Sequence, residues 1–270
     1  MNNDIVLVGC GNMGYAMLAG WLSQNSGLIF HVVEPIAELR ERAALAGAAT
    51  YAAASELASE IMPAIVIFAV KPQVMDKVAP EYKSYAGSDC TFVSVAAGVT
   101  INSLKTYLSD NTPIIRSMPN TPAAIGEGMF VSYANELVSE EAKTLTDKLL
   151  AVSGKTAWIE SESLMDAVTA ISGSGPAYMF HFIECLSKAG ENLGLPKDLS
   201  LEMAIQTMAG AANLARQSDT PPGTLREQVT SPAGTTAAAL EVFMSEDGLS
   251  PLVNEATEAA RDRGVELGKV

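Results

Sequence analysis

The sequence has 270 residues, of which 48% are hydrophobic and 18% are charged, a balance typical of folded globular proteins rather than disordered chains. Its formal net charge of −14 argues against a nucleic-acid backbone or an anionic membrane surface as a partner. The three cysteines have no CxxC spacing, and neither His nor Cys occurs at metal-ligand spacing. The N-terminus lacks the pattern of a signal peptide, and no apolar run reaches the ~20 residues that a membrane helix needs. We therefore expect a cytoplasmic protein with no disulfides and no metal site.

Residues 1–160 alternate short apolar runs with helical ones, and we interpret them as one α/β domain. The predicted strands are IVLVG, LIFHVVE, AIVIFAV, TFVSVAAG, PIIRSMPN and GMFVSYA, and predicted helices include NMGYAMLAGWLSQ and AELRERAALAG. Continuous apolar strands that are separated by helices predict a parallel sheet covered on both faces.

Helical periodicity replaces this pattern near Glu160, and we interpret residues 161–270 as an all-α domain. Several of its helices are apolar over most of their circumference, for example MAIQTMAGAANLA. A helical domain of this size cannot easily bury such faces alone, so we expect partner helices from a second copy of the chain.

A glycine-rich loop directly follows the first predicted strand and opens a helix, which is the context of a dinucleotide-binding G-x-G-x-x-G motif. In this motif the first glycine allows a tight turn, the second lets the backbone approach a pyrophosphate, and the third lets the helix pack closely. The alternative is a glycine-rich turn without a ligand. The predicted cofactor-binding residues here are Gly9, Gly11, Asn12, Met13 and Gly14.

Glu34 ends the second predicted strand, at the position where an acidic residue commonly receives the adenosine ribose hydroxyls. A carboxylate repels a 2′-phosphate, so Glu34 favours NADH over NADPH. Arg40 and Arg42 follow; we interpret them as solvated helix charges, with phosphate binding as the alternative. The cofactor is accordingly left as NADH or NADPH.

Three further loops follow predicted strands and end at the same edge of the predicted sheet, where open α/β sheets bind ligands. Each loop alone would be unremarkable in an α/β protein, but their convergence predicts a cofactor groove. The residues predicted to line it are Val70, Lys71, Pro72, Ala96, Ala97 and Asn120.

These motifs together resemble the pyrroline-5-carboxylate reductase family. The resemblance runs in order from GCGNMG through AVKPQ, SVAAGVTI, IIRSMPNTPAAIGEGM and VTAISGSGPAYMFHFIE to LREQVTSPAGTTAAAL. It implies a Rossmann-type doubly wound domain followed by a helical dimerisation domain interlocked with its twin, with decamers as a possible larger assembly. It also implies reduction of L-1-pyrroline-5-carboxylate to L-proline with NAD(P)H.

The resemblance places the substrate carboxylate at Ser231, Gly234 and Thr235, and the hydroxyl of Thr236 near the ring nitrogen. This stretch has no ionisable side chain, and the physical reason is that backbone N–H groups at a helix start can hold a carboxylate. We expect Thr236 to be the catalytic residue and expect neither His31 nor His181 to act as a general acid.

Two positions depart from the family pattern. Ala233 stands where many relatives have a second glycine, and this difference matters little if the backbone of Ala233 is in an ordinary conformation. Glu34 stands where many NADPH-using relatives have small polar or basic residues, which leaves the cofactor preference open. The segment 172–176 (SGSGP) starts or interrupts a helix, and its glycines allow close packing either at a subunit interface or at the substrate pocket.

Two other functions fit the same domain plan. A 3-hydroxyacid dehydrogenase would resemble its relatives in having a lysine soon after the glycines at 173 and 175, but no lysine occurs there before Lys188. A non-catalytic protein that senses a dinucleotide would need only the first domain and the self-associating helices.

Overall fold

The computed structural model describes residues 3–24, 26–87 and 89–268. Contacts divide the chain into two compact units. The first consists of the residues up to Ser174 together with those from Ala260 onward, and the second is Gly175–Ala259.

An eight-stranded sheet forms the centre of the first unit. Its strands are β1 (Asp4–Val8), β2 (Ile29–Val33), β3 (Ala49–Tyr51), β4 (Ile65–Phe68), β5 (Thr91–Ser94), β6 (Ile114–Met118), β7 (Gly128–Ala134) and β8 (Gly154–Trp158). They are arranged in the order β3-β2-β1-β4-β5-β6-β7-β8. All neighbouring pairs are parallel except β6 and β7. The first six strands therefore have the strand order of a doubly wound dinucleotide-binding fold, and the α/β prediction is confirmed.

Alternating side chains of β1 show how the sheet builds two cores. Ile5 and Leu7 belong to one buried cluster, whereas Val6 and Val8 belong to another. Successive side chains of a strand point to opposite faces, so an uninterrupted apolar strand must be covered on both. Helix packing supplies that cover, with Trp21 buried on one side and Tyr82 on the other.

The α-helices include those predicted from the sequence and two more, Ile101–Tyr107 and Glu140–Ala151, that have no prediction. They are α1 (Asn12–Leu22), α2 (Ala37–Leu45), α3 (Met75–Val78), α4 (Ile101–Tyr107), α5 (Glu140–Ala151), α6 (Met165–Val168), α7 (Gly175–Asn192), α8 (Lys197–Gln217), α9 (Pro222–Gln228), α10 (Thr235–Phe243) and α11 (Leu249–Leu267). A short π-helical segment, Thr169–Gly173, immediately precedes α7. The all-α part predicted from residue 161 is helical throughout its described length, apart from turns and loops.

The compact units divide the chain at a different place from the predicted domains of 1–160 and 161–270. Residues 161–174 pack within the first unit, and so does the end of α11. Leu267 lies against Gly98, and Gly264 lies against Asp166. A change in helical periodicity marks where strands end in the sequence, but it does not tell which unit the next helical turns pack against.

The second unit has little interior of its own. Only Ser187, Ser200 and Ala204 are buried in it, and large apolar side chains such as Phe180 and Val242 are 60% and 72% exposed. Within this unit α7 packs against α8, and a Cβ on Gly190 would lie 2.8 Å from Ser200 Oγ. Many large apolar side chains of this unit are thus open to water, as at surfaces that bind another protein.

Candidate active site

The loops predicted to bind the cofactor all leave the same edge of the sheet. Strands β1, β2, β4, β5 and β6 are mutually parallel along the sheet order, so their carboxyl ends meet at one edge. Residues 9–14, 34–36, 69–72, 95–100 and 119–121 follow these ends directly. The convergence predicted from the sequence is therefore present in the fold, at the edge where open sheets bind ligands.

The three glycines of the first loop have three different geometries. Gly9 has a φ of +89°, which favours glycine, and a Cβ there would lie 2.8 Å from Val70 Cγ1. A Cβ on Gly14 would overlap the carbonyl oxygen of Gly9. A Cβ on Gly11 would meet no atom within 4 Å. Gly9 and Gly14 therefore serve packing within the protein, whereas the space above Gly11 is open.

The start of α1 fits a diphosphate. Asn12 and Met13 are its first two residues, and the first intrahelical bond runs from Tyr15 N to Gly11 O at 2.9 Å. The N–H groups of residues 12–14 precede that bond, so they are available to an anion, and the helix dipole favours negative charge there. These donors, together with the open space at Gly11, fit the pyrophosphate of a dinucleotide.

Glu34 is buried, and both oxygens of its carboxylate accept backbone hydrogen bonds. Cys10 N donates to Oε2 at 2.7 Å, and Ile36 N donates to Oε1 at 2.9 Å. The side chain thus ties the glycine loop to the end of β2. Its predicted contact with ribose hydroxyls would use the remaining lone pairs of the same oxygens.

Arg40 and Arg42 are not the solvated helix charges expected from the sequence. Arg40 Nη1 donates to the carbonyl oxygens of Glu34 and Pro35 at 2.8 and 3.0 Å. Arg42 Nη2 donates to Cys10 O at 2.8 Å, and its guanidinium carbon lies 3.9 Å from the centre of the Tyr15 ring. Helical periodicity could not reveal these bonds because all the acceptors are backbone carbonyls outside the helix, and that of Cys10 is 32 positions from Arg42.

The loop after β4 starts beside Gly9 and runs into a short 3₁₀ helix, Pro72–Val74. Lys71 precedes this helix and is exposed, while Val70 is half-buried against the glycine loop. Lys71 therefore lies at the predicted edge with its side chain open to solvent.

The loop after β5 contains Ala96, which is buried, and Ala97, which is exposed. Ala96 N donates to Ser94 Oγ at 3.3 Å. The loop ends where Ile101 N donates to Glu162 Oε1 at 2.8 Å. The carboxylate of Glu162 also accepts from Arg116 Nη1 at 2.6 Å, so an unpredicted ion pair supports this loop. A single charge inside the apolar run PIIRSM was the available sequence signal for it.

Asn120 connects three parts of the first unit. Its Oδ1 accepts from Met129 N at 2.9 Å, and its Nδ2 donates to Ser172 O at 3.2 Å. Nearby, a Cβ on Gly173 would lie 2.5 Å from Met118 Cε. Gly173 thus packs closely on strand β6 of the same unit, which is neither of the two locations expected for the glycines of segment 172–176.

The predicted substrate loop lies in the second unit, between α9 and α10. Gly234 precedes α10 with φ −83° and ψ 174°, and no side chain caps the helix. The first bond of the helix runs from Ala238 N to Gly234 O at 3.2 Å. The N–H groups of Thr235, Thr236 and residue 237 precede that bond, and within the described part of the chain they have no hydrogen-bond acceptor. Ser231 and Thr235 are exposed, and Thr236 is half-buried.

Ala233 has a φ of +56°, in the left-handed region that favours glycine. The backbone of Ala233 is therefore not in the ordinary conformation in which an alanine in place of the glycine of many relatives would matter little. An L-residue with a Cβ is strained in the left-handed region by about 1–2 kcal/mol. The alanine thus costs conformational energy in the turn that carries the free N–H groups.

The remaining candidate groups lie elsewhere. His31 is buried and bonds to Asp4 Oδ1 at 2.8 Å, while His181 is exposed on α7 beside Glu184. Within residues 3–24, 26–87 and 89–268, no cluster of three or more His, Cys, Asp or Glu side chains could hold a metal ion. Among the helices in these residues, none has both the length and the hydropathy of a membrane span.

The fold and the glycine loop define an NAD(P)-dependent oxidoreductase with a Rossmann-type domain and a helical domain. Two family models match the chain, one described as NADP oxidoreductase coenzyme F420-dependent over residues 4–98, the other as pyrroline-5-carboxylate reductase dimerisation over residues 162–267.

Whole-chain comparisons narrow the class. A pyrroline-5-carboxylate reductase of Pseudomonas aeruginosa is 37% identical over 267 residues, which cover 98% of this chain and 97% of the relative. The solved structure of a pyrroline-5-carboxylate reductase from Coxiella burnetii has 32% identity and a TM-score of 0.93, with 100% of both chains covered. That of Plasmodium falciparum pyrroline carboxylate reductase, with NADP bound, has 30% identity and a TM-score of 0.81 over 98% of this chain and 99% of the other.

The chain belongs to the pyrroline-5-carboxylate reductase family. It is an NAD(P)H-using oxidoreductase, as predicted, and its match to the dimerisation model together with the exposed helix faces indicates that it self-associates.

Proposed function

We propose that this enzyme reduces L-1-pyrroline-5-carboxylate to L-proline and that the free N–H groups at the start of α10 hold the substrate carboxylate. The observation that carries this proposal is a helix start with three uncommitted N–H donors in a stretch without ionisable side chains. Such a helix start binds an anion through its donors and its dipole.

The cofactor is assigned to the edge of the sheet in the first unit. Gly11 and the N–H groups of Asn12 and Met13 hold the pyrophosphate, and Gly9 and Gly14 shape the loop that presents them. Glu34 takes the ribose, and the residues that line the rest of the groove are Val70, Lys71, Pro72, Ala96, Ala97 and Asn120. When bound, NAD(P)H supplies the hydride that the imine carbon receives.

The substrate loop binds and orients the imine. We assign Ser231, Gly234 and Thr235 to the carboxylate. Of these, Thr235 has a free N–H, whereas Gly234 N donates to Ser231 O at 3.0 Å, and the small side chains of the stretch keep the helix start reachable. The hydroxyl of Thr236 hydrogen-bonds the ring nitrogen, which orients the ring and can pass a proton to that nitrogen from water. Orientation of two reactants can lower a reaction barrier by roughly 7–11 kcal/mol. We therefore expect turnover without an ionisable general acid.

An absorbance assay tests this function. Oxidation of NADH or NADPH is followed with L-1-pyrroline-5-carboxylate, and L-proline is identified as the product. Thr236→Ala is expected to lower kcat at unchanged cofactor affinity, and Thr236→Ser, which keeps the hydroxyl, to restore most of it. Unchanged kinetics in Thr236→Ala would remove the hydroxyl from the mechanism, and cofactor binding without turnover would favour a dinucleotide sensor.

The cofactor preference follows from Glu34. Its buried carboxylate lies where the 2′-substituent of the adenosine ribose would be received, so it accepts a hydroxyl and repels a phosphate. We expect a lower KM for NADH than for NADPH. A strong preference for NADPH would contradict this assignment of Glu34.

The assembly is assigned from the exposed helices. An interlocked homodimer would cover faces such as the one that carries Phe180, and five dimers would form the decamer that the family resemblance suggests. Light scattering coupled to size-exclusion chromatography measures the mass directly. A stable monomer at micromolar concentration would overturn the interlocked dimer.

A further inference from the structure

Both backbone polar groups of Cys10 are hydrogen-bonded to side chains. Its N–H donates to Glu34 Oε2 at 2.7 Å, and its carbonyl oxygen accepts from Arg42 Nη2 at 2.8 Å. Arg42 Nη2 also lies 3.4 Å from the carbonyl oxygen of Gly11. Both carbonyls belong to the loop whose next N–H groups open α1.

The guanidinium of Arg42 is seated on α1 itself. Its carbon lies 3.9 Å from the centre of the Tyr15 ring, and Tyr15 is one turn into that helix. Arg42 Nε is buried and finds no acceptor in the described part of the chain. Nη2 therefore binds the loop backbone, and the cation–π contact holds the guanidinium against α1.

This arrangement has two physical consequences for the loop. Two of its residues are glycines at 9 and 11, which otherwise leave the backbone free to sample many conformations. Fixing two carbonyls toward Arg42 orders the loop before a ligand arrives, which lowers the entropic cost of binding. The arginine also adds a positive charge close to a helix start that already favours anions.

We propose that Arg42 is a positioning residue of the pyrophosphate-binding loop, and that it supports NADH and NADPH equally. It acts through the carbonyls of Cys10 and Gly11 and touches neither cofactor. This inference rests on the proposed assignment of residues 9–14 to the pyrophosphate.

The competing role for Arg42 is direct recognition of a 2′-phosphate, and the two roles differ in what they predict. A residue that orders the loop beneath the pyrophosphate affects both cofactors, because both contain a pyrophosphate. A residue that binds the 2′-phosphate affects NADPH alone. Arg42 Nη2 already donates to Cys10 O, and the guanidinium already contacts Tyr15, so the structure favours the ordering of the loop over binding of a 2′-phosphate.

The test is a pair of fluorescence titrations of Arg42→Met with NADH and with NADPH. Loss of charge-assisted hydrogen bonds to the loop is expected to raise both Kd values by a similar factor, about tenfold or more. At saturating cofactor, kcat is expected to stay near that of the parent enzyme. A loss confined to NADPH, or no loss for either cofactor, overturns the proposal.

Three further variants complete the experiment. Tyr15→Leu removes the seat of the guanidinium and is expected to weaken both cofactors by a smaller common factor; it also serves if Arg42→Met does not fold. Arg263→Met removes an exposed arginine of α11 that pairs with Glu266, and is expected to leave both Kd values unchanged. If Gly11→Val keeps full affinity, the assignment of the pyrophosphate to this loop is wrong, a failure distinct from that of Arg42.

Discussion

Arg116 in β6 forms an ion pair with Glu162, which follows β8, and the distance between Nη1 and Oε1 is 2.6 Å. The arginine side chain is only 7% exposed. The same carboxylate oxygen accepts from Ile101 N, the first residue of α4. One side chain thus holds a central strand, a helix start and the end of the loop that contains Ala96.

Glu162→Ala is expected to destabilise the protein strongly because it leaves a buried guanidinium without its partner. The expected loss is about 3 kcal/mol in the free energy of unfolding, the lower end of the range for broken buried pairs, since the glutamate is partly exposed. Urea unfolding at a fixed protein concentration measures it.

The double variant Arg116→Met/Glu162→Leu is the matched control for that prediction. Replacing both charges with apolar groups removes the unpaired guanidinium, so most of the lost stability should return. If the double variant is as unstable as Glu162→Ala, the charge of Arg116 is not the reason for the loss.

Gly11→Val and Gly14→Ala separate cofactor binding from folding. Gly11 has an ordinary φ of −64° and open space around it, so a valine should leave the unfolding midpoint unchanged and abolish cofactor affinity.

Gly14 lies within a helix, where alanine normally stabilises by about 1 kcal/mol. Here its Cβ would overlap the backbone of Gly9, and such overpacking costs about 1–3 kcal/mol, so we expect a net loss. Cofactor titration and thermal unfolding of both variants provide the two measurements.

Ala233→Gly is expected to stabilise the protein. Glycine removes strain of about 1–2 kcal/mol at φ +56°, and the greater freedom of the unfolded chain offsets about 0.4–1 kcal/mol of it. The matched control is Ala239→Gly in the middle of α10, where glycine should destabilise by about 1 kcal/mol. Opposite shifts of the unfolding midpoint support the left-handed conformation of Ala233, and equal shifts contradict it.

Local patterns were sufficient to predict most of the α/β fold. The six predicted strands all occur, because each is an apolar run long enough to be buried on both faces. Strands β3 and β8 have no prediction. The first is the three-residue segment ATY, and the second, GKTAW, begins with glycine and lysine; both lie at sheet edges, where burial imposes less pattern. The antiparallel direction of β7 depends on its connection to β6, which hydrophobicity does not encode.

In the candidate site, too, local sequence patterns predicted some features, whereas contacts between distant residues could not be predicted. The glycine loop could be predicted because the spacing of its three glycines between a strand and a helix is a local sequence pattern, although Gly9 packs against the distant Val70. The bonds of Glu34 and Arg42 to Cys10 join residues 24 and 32 positions apart, and that of Glu162 to Ile101 spans 61. Such contacts are products of the tertiary fold, so the sequence pattern could assign Glu34 to the cofactor ribose but could not predict any of these three bonds.

Alkaline conditions provide a last test, through two thiols that the fold keeps from water. Burial raises the pKa of Cys90 from 9.0 to about 12, and it raises the pKa of Cys10 to about 11, a rise that the charge of Arg42 partly offsets. Below pH 9 the folded and unfolded chains both keep these protons, and stability is fully present. Above pH 9 the unfolded chain releases them first, so the free energy of unfolding falls as pH rises toward the folded pKa values.

Cys90→Ala removes one of these two thiols and therefore changes the slope as well as the level of stability. Each thiol contributes a slope of about 1.4 kcal/mol per pH unit between its two pKa values. The cavity left by the smaller side chain costs about 1–2 kcal/mol at every pH, because it involves no proton. Unfolding measured from pH 8 to pH 11 should show the variant less stable at pH 8, with the two curves converging above pH 9 and crossing at about pH 10. Parallel curves would mean that the native state does not hold the Cys90 proton more tightly than the unfolded chain does.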